Sequence, residues 1–476
     1  MVKEKIQRVG ASIALDRILR YIDKDPRKNL LRLLSIAKRL TGKTFPEKAL
    51  AGFQKALEDE NSIWFKYALG FLNDIDRANL KKMFLSFALG AGYHGTKAVR
   101  ENREKYKCNI PWLMLIDPTS ACNMNCKGCW SAEYGHKLNL SFDEMNDVIN
   151  QGVKLGTHLY MFTGGEPLIR KKDILRLCRE HKDCTFLAYT NATLVDQEFC
   201  DEMKEVGNLT LALSIEGTEE SNDYRRGSGA YAGTIAAMDL LKKNGCLFGI
   251  SVCYTSKNID AVTSDEFIDG MIARGVKFGL YFNYMPVGND AVEELIPSPE
   301  QRTFMYKWLK RMRAAETGKP IFIMDFQDDA EYVGGCIAGG RNYFHINSAG
   351  DIEPCVFIHF SDANIRTHTL LEALRSPLFM CYYHNQPFND NHLRPCPMLE
   401  NPELLRAMIS KTGAKPTDLV SRETVDQLCS KCEKFAAAWK PQAEKLWNEN
   451  KHPNPKTQYY RDTEWAMREK VDDLLR

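Results

Sequence analysis

The sequence predicts an α/β protein: a parallel sheet with interposed helices, preceded by a helical extension and followed by a small cysteine-bearing region. Three observations predict it. Six short apolar runs alternate with helical patterns between residues 111 and 290, and such alternation implies parallel strands joined by right-handed crossovers. Residues 1–110 show helical periodicity and no strand-like alternation. From Cys336 the composition changes and cysteines recur. Periodicity alone does not separate a barrel from an open, doubly wound sheet.

The first helix carries Ile6, Val9, Ile13, Leu15, Ile18, Leu19 and Ile22 at roughly helical spacing. The second carries Leu30, Leu31, Leu33, Leu34, Ile36, Ala37 and Leu40 and stops at Thr41-Gly42. Further helices are predicted at 49–57, 63–72 and 80–91. Residues 1–110 hold 23 Lys and Arg against 12 Asp and Glu, a net of +11 in a chain of net charge +2. A basic arm on an acidic body points to an anionic partner, unless it is simply a solvated helical face. The apolar, partly aromatic segments 64–72 and 83–89 are read as core, with a membrane-facing surface as the alternative.

Strands are predicted at 113–117, 159–162, 185–190, 209–215, 248–254 and 278–284. The helix after the first strand opens on Ser141-Phe-Asp-Glu144, a capping box in which Ser and Glu satisfy orphan amides reciprocally. It sets Met145, Val148, Ile149, Gly152 and Leu155 on one face. A connector over 295–330 contains a helix started by Ser298, Pro299 and Gln301, then a short strand at 321–324.

The chemistry is concentrated where the first strand ends, in Asp117-Pro-Thr-Ser-Ala-Cys-Asn-Met-Asn-Cys-Lys-Gly-Cys-Trp130. Cys122, Cys126 and Cys129 are spaced C-x3-C-x2-C. Three thiolates this close can hold three irons of a cubane cluster and leave the fourth open; full cysteine ligation would need four. A zinc site would show a second C-x2-C pair or a histidine at zinc-finger distance, and neither follows. Strand ends are also where parallel barrels place their chemistry. Strand two ends in Thr163-Gly-Gly-Glu-Pro167, strand three in Thr190-Asn-Ala192 and strand four in Ser214-Ile-Glu-Gly217, followed by Asp223-Tyr-Arg-Arg-Gly227. Strand six runs into Pro286-Val-Gly288. Glycines let backbone approach a ligand, and a carboxylate suits an ammonium partner. Each piece alone is an ordinary turn; in this order, at successive strand ends, they read as one rim.

These motifs resemble the radical S-adenosylmethionine (SAM) superfamily. The resemblance implies a partial (β/α)6 TIM-type barrel, with a 4Fe–4S cluster on Cys122, Cys126 and Cys129 whose open iron is chelated by SAM. It implies that Gly164, Gly165 and Glu166 hold the SAM amino group and that Asn191 makes polar contacts with the cofactor. Ser214 and Arg226 would hold its carboxylate, with Arg225 the competing choice. Trp130 would pack near the adenine or shield the cluster. An electron from a flavodoxin- or ferredoxin-type donor would then cleave SAM to methionine and a 5′-deoxyadenosyl radical.

The run Cys336-x13-Gly350-x4-Cys355 resembles the signature of the auxiliary cluster domain, SPASM or its shorter twitch form, that follows many such barrels. A hairpin of 343–346 and 352–355 around residues 347–351 would bring both thiols towards one metal. The denser C-x2-C-x5-C-x3-C run of a full SPASM domain is missing. One auxiliary 4Fe–4S cluster is therefore expected, on Cys336, Cys355 and Cys396, with Cys381, Cys429 or Cys432 as fourth ligand or the position open. Cys108, Cys178, Cys184, Cys200, Cys246 and Cys253 lack ligand spacing and are read as core. The expected division is a basic helical region at 1–110, the barrel at 111–330, the auxiliary region at 331–435 and a helical tail at 436–476 that carries Trp439, Trp447 and Trp465.

No signal-like segment opens the sequence and no apolar run reaches the ~18 residues of a spanning helix. Fifteen cysteines, an odd number, argue for metal ligation in a reducing compartment over a disulfide framework. The expected location is cytoplasmic, with peripheral contact to an anionic membrane as an addition; no specific nucleic-acid binding is expected. The expected function is radical modification of an unactivated carbon in a lipid or isoprenoid, motivated by the basic, partly aromatic arm. Maturation of a peptide or protein side chain is the alternative, and the absence of a leader-binding β-hairpin pattern in 1–110 counts against it. A non-enzymatic iron–sulfur sensor or scaffold is the third reading, and the Gly-Gly-Glu and Arg-Arg-Gly features oppose it.

Overall fold

The six apolar runs form β1 (Leu113–Ile116), β2 (Leu159–Phe162), β3 (Thr185–Thr190), β4 (Leu209–Ser214), β5 (Phe248–Tyr254) and β6 (Phe278–Asn283). This is a computed structural model; it describes residues 2–41, 54, 55, 57–59, 61–288 and 290–450. The six strands lie parallel and in chain order. A seventh, β7 (Phe322–Asp325), continues the sheet beside β6. On the other edge β8 (Tyr343–Ile346) pairs in parallel with β1, Leu113 opposite Tyr343, and β9 (Ile352–Glu353) returns antiparallel to it. The hairpin that lies between Cys336 and Cys355 in the chain is therefore part of the barrel sheet. This pairing was not legible in the sequence, because it joins segments about 230 residues apart.

Side-chain alternation shows that the sheet curls. Met114, Ile116, Tyr160, Phe162, Phe186, Leu211, Leu213, Ile250 and Val252 point to the surrounding helices and form the main core with Ile149, Leu175 and Met238. The other faces carry Leu115, Met161, Leu187, Tyr189, Ala212, Leu280 and Phe282. The rings of Tyr189 on β3 and Phe282 on β6 stand 6.0 Å apart, although two strands lie between them. In a flat sheet those strands would be about 14 Å apart at ~4.8 Å per step, so the sheet must bend around them. The outer edges approach as well: Phe326, just after β7, meets Tyr343 of β8 at 5.7 Å. The curl is completed by this ring contact and by Arg341 bonding the carbonyls of Val333 and Cys336, without a backbone ladder between β7 and β8.

The helical extension packs across the N-terminal ends of the strands. Ser86 Oγ accepts from Thr185 at the start of β3, and Ala91 O accepts from Trp112 Nε1 just before β1. Asp76 N donates to Gly245 O before β5, Asp74 pairs with Lys277 before β6, and Lys82 caps the carbonyls of Lys204 and Glu205 before β4. The helix expected at 80–91 is instead an α-helix, Arg77–Phe84, that widens into a π-helix, Leu85–Gly95. The small residues Gly90, Ala91 and Gly95 let this segment approach closely; a side chain at Gly90 would overlap the carbonyl of Asp183. The helix expected at 49–57 lies mostly outside the described residues. At the far end one unbroken helix, Val425–Glu449, buries Cys429, Cys432 and Trp439. Trp465 and the rest of the tail from 451 lie outside the described residues.

Candidate active site at the strand ends

The loop that leaves β1 is held by the loop that leaves β2. Gly165 N donates to Thr119 O at 3.0 Å and Glu166 N to Ala121 O at 2.8 Å. Gly164 adopts φ +97°, in the region that favours glycine. A Cβ on Gly165 would overlap the carbonyl of Ala121. The two glycines thus seat the cysteine loop directly on β2. Lys127 N donates to Arg225 O at 2.8 Å, tying the loop's other end to the segment after β4. Cys122, Cys126 and Cys129 remain partly exposed on this loop.

Glu166 is buried and already takes three donors: Leu168 N at 2.9 Å and Thr190 Oγ1 at 2.7 Å on Oε1, and Asn191 N at 2.8 Å on Oε2. Burial raises its pKa against these donors. A carboxylate oxygen offers two lone pairs, so Oε2 keeps one acceptor position for a further donor. Asn191 bonds Asn123 Oδ1 at 2.8 Å and reaches Cys122 Sγ at 4.0 Å, so its amide clamps the cysteine loop. Ser214 closes β4 on the same face as Ala212, opposite Ser251.

Arg225 and Arg226 converge on one acceptor. Glu216 Oε1 receives Arg225 Nη1 at 2.7 Å and Arg226 Nε and Nη2 at 3.0 and 2.7 Å. Asn258 Nδ2 holds Oε2 at 3.2 Å. Two guanidiniums against one buried carboxylate leave one positive charge beside the cysteine loop. Burial raises the Cys126 thiol's pKa, and Arg226 and Arg225 oppose that rise. Sequence reasoning quoted Glu216 but gave it no role; a carboxylate ten residues before a paired arginine was the available signal.

A second buried polar group was missed altogether. Asp117, at the end of β1, lies 2.9 Å from His345 Nε2, and Glu353 lies 2.6 Å from His345 Nδ1. Glu353 also accepts from Tyr134 Oη, Asn347 Nδ2 and Thr417 Oγ1. Burial pulls the imidazolium down, but the two carboxylates overcome it and carry His345 to a pKa of about 10. Trp130, next to Cys129, presents its indole to His345, His359, Phe357 and Tyr134 at 5.8–6.2 Å. The indole is thus packed against the β8–β9 side of the site.

Cys336, Cys355 and Cys396 gather although they are far apart in sequence. Burial raises the Cys396 thiol well above its ordinary range, and Glu400, Cys336 and Cys355 add to the shift; burial alike carries Cys336 to about 11 and Cys355 to about 12. Donors face two of the three sulfurs. Cys396 Sγ takes Met398 N and Leu399 N, both at 3.4 Å. Cys355 Sγ is 2.8 Å from Tyr343 Oη and also accepts from Phe357 N. At Cys336 it is the carbonyl oxygen that accepts, from Gln386 Nε2 at 3.1 Å. By contrast Cys432 Sγ donates to Leu428 O within its own helix, and Cys381 Sγ accepts from Asn385 Nδ2 at 3.8 Å. Cys108, Cys178, Cys184, Cys200 and Cys246 are buried, as expected of core thiols. Cys253 differs: it is only partly buried, and its thiol feels the charges of Arg225 and Cys129.

Residues 116–267 match the profile of the radical SAM superfamily. The chain therefore carries a radical SAM domain. This radical SAM chain is 26% identical to the AdoMet-dependent heme synthase of Methanosarcina barkeri over 290 residues, covering 56% of the chain and 82% of that enzyme. It is 25% identical to the mycofactocin maturase MftC of Mycolicibacterium smegmatis over 262 residues, covering 52% of the chain and 65% of that protein. In structure it is similar to Streptococcus suis SuiB bound to its precursor peptide SuiA, with a TM-score of 0.53 and 18% identity over 71% of this chain and 79% of SuiB; that likeness bears on the fold. The radical SAM chain is an enzyme that uses a 4Fe–4S cluster and SAM. The residues present fit these groups: three partly exposed thiols on one loop, one spare acceptor on Glu166 for an ammonium, and one uncompensated positive charge for a carboxylate. Among the described residues no three His, Cys, Asp or Glu crowd closely enough to hold a single ion; a cubane takes each thiolate at a different iron and does not need that crowding. Nor is any described helix long and apolar enough to cross a membrane.

Proposed function

We propose that this radical SAM enzyme modifies an apolar carbon skeleton held inside the curled sheet, with an auxiliary cluster on Cys336, Cys355 and Cys396 close by. The observation that carries the reading is the inner wall: Leu115, Met161, Leu187, Tyr189, Leu280, Phe282 and Phe326 face it. The bound cluster and SAM supply a 5′-deoxyadenosyl radical that removes a hydrogen atom from an unactivated carbon. The chain's own residues do the rest. Cys122, Cys126 and Cys129 hold the irons, while Asn191 and the Gly164-Gly165 turn keep their loop in place. Glu166 Oε2 takes the SAM ammonium. Ser214 and the Arg225–Arg226 pair, fixed by Glu216, take its carboxylate; Arg226 spends two nitrogens on Glu216 and Arg225 spends one, so Arg225 has the larger free donor set. The apolar wall keeps water from the reacting carbon.

The helical arm does not decide the substrate class. Phe84, Phe87 and Tyr93 are exposed on it, at 44–49%, beside basic residues that suit an anionic surface. That surface lies at the N-terminal ends of the strands, opposite the cysteine loop, so membrane contact there would anchor the enzyme without delivering substrate. A peptide side chain with an aromatic or aliphatic reacting carbon is the second reading, supported by the similarity to a mycofactocin maturase.

The test is anaerobic reconstitution followed by SAM, a flavodoxin- or ferredoxin-type reductant, and assay of 5′-deoxyadenosine. Wild type should hold roughly eight irons and Cys122→Ala/Cys126→Ala/Cys129→Ala about four, at four irons per cubane, with cleavage confined to wild type. Fractions of a perdeuterated cell extract then identify the substrate: deuterium should enter 5′-deoxyadenosine from an apolar or peptide fraction. Transfer only from a highly charged, water-soluble fraction would defeat the apolar reading.

A further inference from the structure

The auxiliary thiols have more than cysteines around them. Tyr382, on the helix Pro377–Asn385, is fully buried, and its hydroxyl has no hydrogen-bond partner within the protein. The ring packs in the same buried cluster as Cys355 and Cys381, against Cys336 and Cys396, and its oxygen feels all four thiols, so this orphan donor lies in the neighbourhood of the thiol site. A buried hydroxyl without a partner needs one, and a sulfur of a bound cluster would supply it here. Tyr343 reaches the same place from the other side, its Oη 2.8 Å from Cys355 Sγ. A metal-bound thiolate carries no proton, so in that contact the phenol must be the donor. Both rings are fixed: Tyr343 sits on β8, bonded to β1, with Phe326 edge-on at 5.7 Å, and Tyr382 has Phe388 edge-on at 5.2 Å.

We propose that Tyr343 and Tyr382 donate their phenolic protons to the sulfurs of the auxiliary cluster, and that these two hydrogen bonds raise its reduction potential. The proposal rests on the reading of Cys336, Cys355 and Cys396 as cluster ligands. Adding an electron makes an iron–sulfur cluster more negative, and donors at sulfur stabilise the more negative state. The two phenols are positioning residues for the cluster's charge and touch no substrate.

The experiment uses the full chain carrying Cys122→Ala/Cys126→Ala/Cys129→Ala, so that the auxiliary site is read alone. After anaerobic reconstitution with iron and sulfide, a redox titration followed by electron paramagnetic resonance gives the midpoint potential. Tyr343→Phe and Tyr382→Phe, each added to that background, should keep about four irons per chain and the parent's circular dichroism, while the midpoint falls in both. Unchanged midpoints in both variants would overturn the proposal. Loss of iron on Tyr382→Phe alone would also overturn it, by making the phenol oxygen a ligand. If the parent binds no iron, the ligand reading itself fails and the proposal falls with it.

Discussion

His345 stands between Asp117 and Glu353, and all three side chains are fully buried. Removing one partner from a buried ionic set leaves an uncompensated charge and costs about 3–5 kcal/mol. His345→Leu should therefore lower the unfolding free energy by that order, read by chemical denaturation; an unchanged value would mean that the carboxylates are already neutral. The pH dependence follows in sign. The folded pKa of about 10 lies above the ordinary 6.5, so the stabilisation is complete below about pH 6.5 and fades as pH rises towards 10. Denaturation of wild type at pH 6 and pH 9 should show the loss, and His345→Leu should flatten it. Glu216 predicts a binding effect: Glu216→Ala frees both arginines from their shared acceptor and should weaken SAM binding about tenfold, or ~1.4 kcal/mol, measured by calorimetry on reconstituted protein. Both residues were hard to read in advance. His345 sits in a strand where a histidine passes for a half-buried surface residue, and Glu216 becomes an organiser only once α-helical turns bring Arg225 and Arg226 back to it.

Strands were legible because each is a short buried run closed by glycine or a polar residue. The expected 159–162, 185–190 and 248–254 match β2, β3 and β5 at both ends, and β1, β4 and β6 are shorter by one residue at their C-terminal ends. Those residues, Asp117, Ile215 and Tyr284, still donate their N–H to the neighbouring strand, at Ile346 O, Ser251 O and Tyr254 O, and the chain turns towards the site just beyond them. The π-helix was not legible, since its widened turns answer to the barrel floor beneath it and not to its own propensity. Two substitutions test these elements. Gly165→Ala should displace the cysteine loop from Ala121 and reduce bound iron from roughly eight to about four per chain, with the auxiliary site intact. Gly90→Val should force the π-helix off Asp183 and cost about 1–3 kcal/mol, read by thermal melting, with cluster content unchanged.

Across the whole molecule, the auxiliary region cannot be treated as an appendage. β8 supplies hydrogen bonds along the full length of β1, and Arg103 ties the extension to Ile110 and Arg341. A chain ending at residue 330 would expose the edge of β1 and strip the cover from Asp117 and Trp130. Such a chain should aggregate or melt well below the intact protein; a monomeric truncation with native melting would show the barrel to be self-sufficient. Sequence motifs gave the order of the strands, yet they are silent on this junction, which depends on contacts between residues hundreds of positions apart.

The shared edge has a consequence for how the enzyme is loaded. The strand that launches the Cys122 loop and the strand that leads to Cys355 are bonded to each other, so filling either site orders the same pair of strands. Whatever factor an iron cluster at one end contributes to affinity at the other must, by linkage, act equally in reverse. Coupling through that edge, of either sign, would show as an iron affinity at the Cys336–Cys355–Cys396 site that differs between Cys122→Ala/Cys126→Ala/Cys129→Ala and wild type.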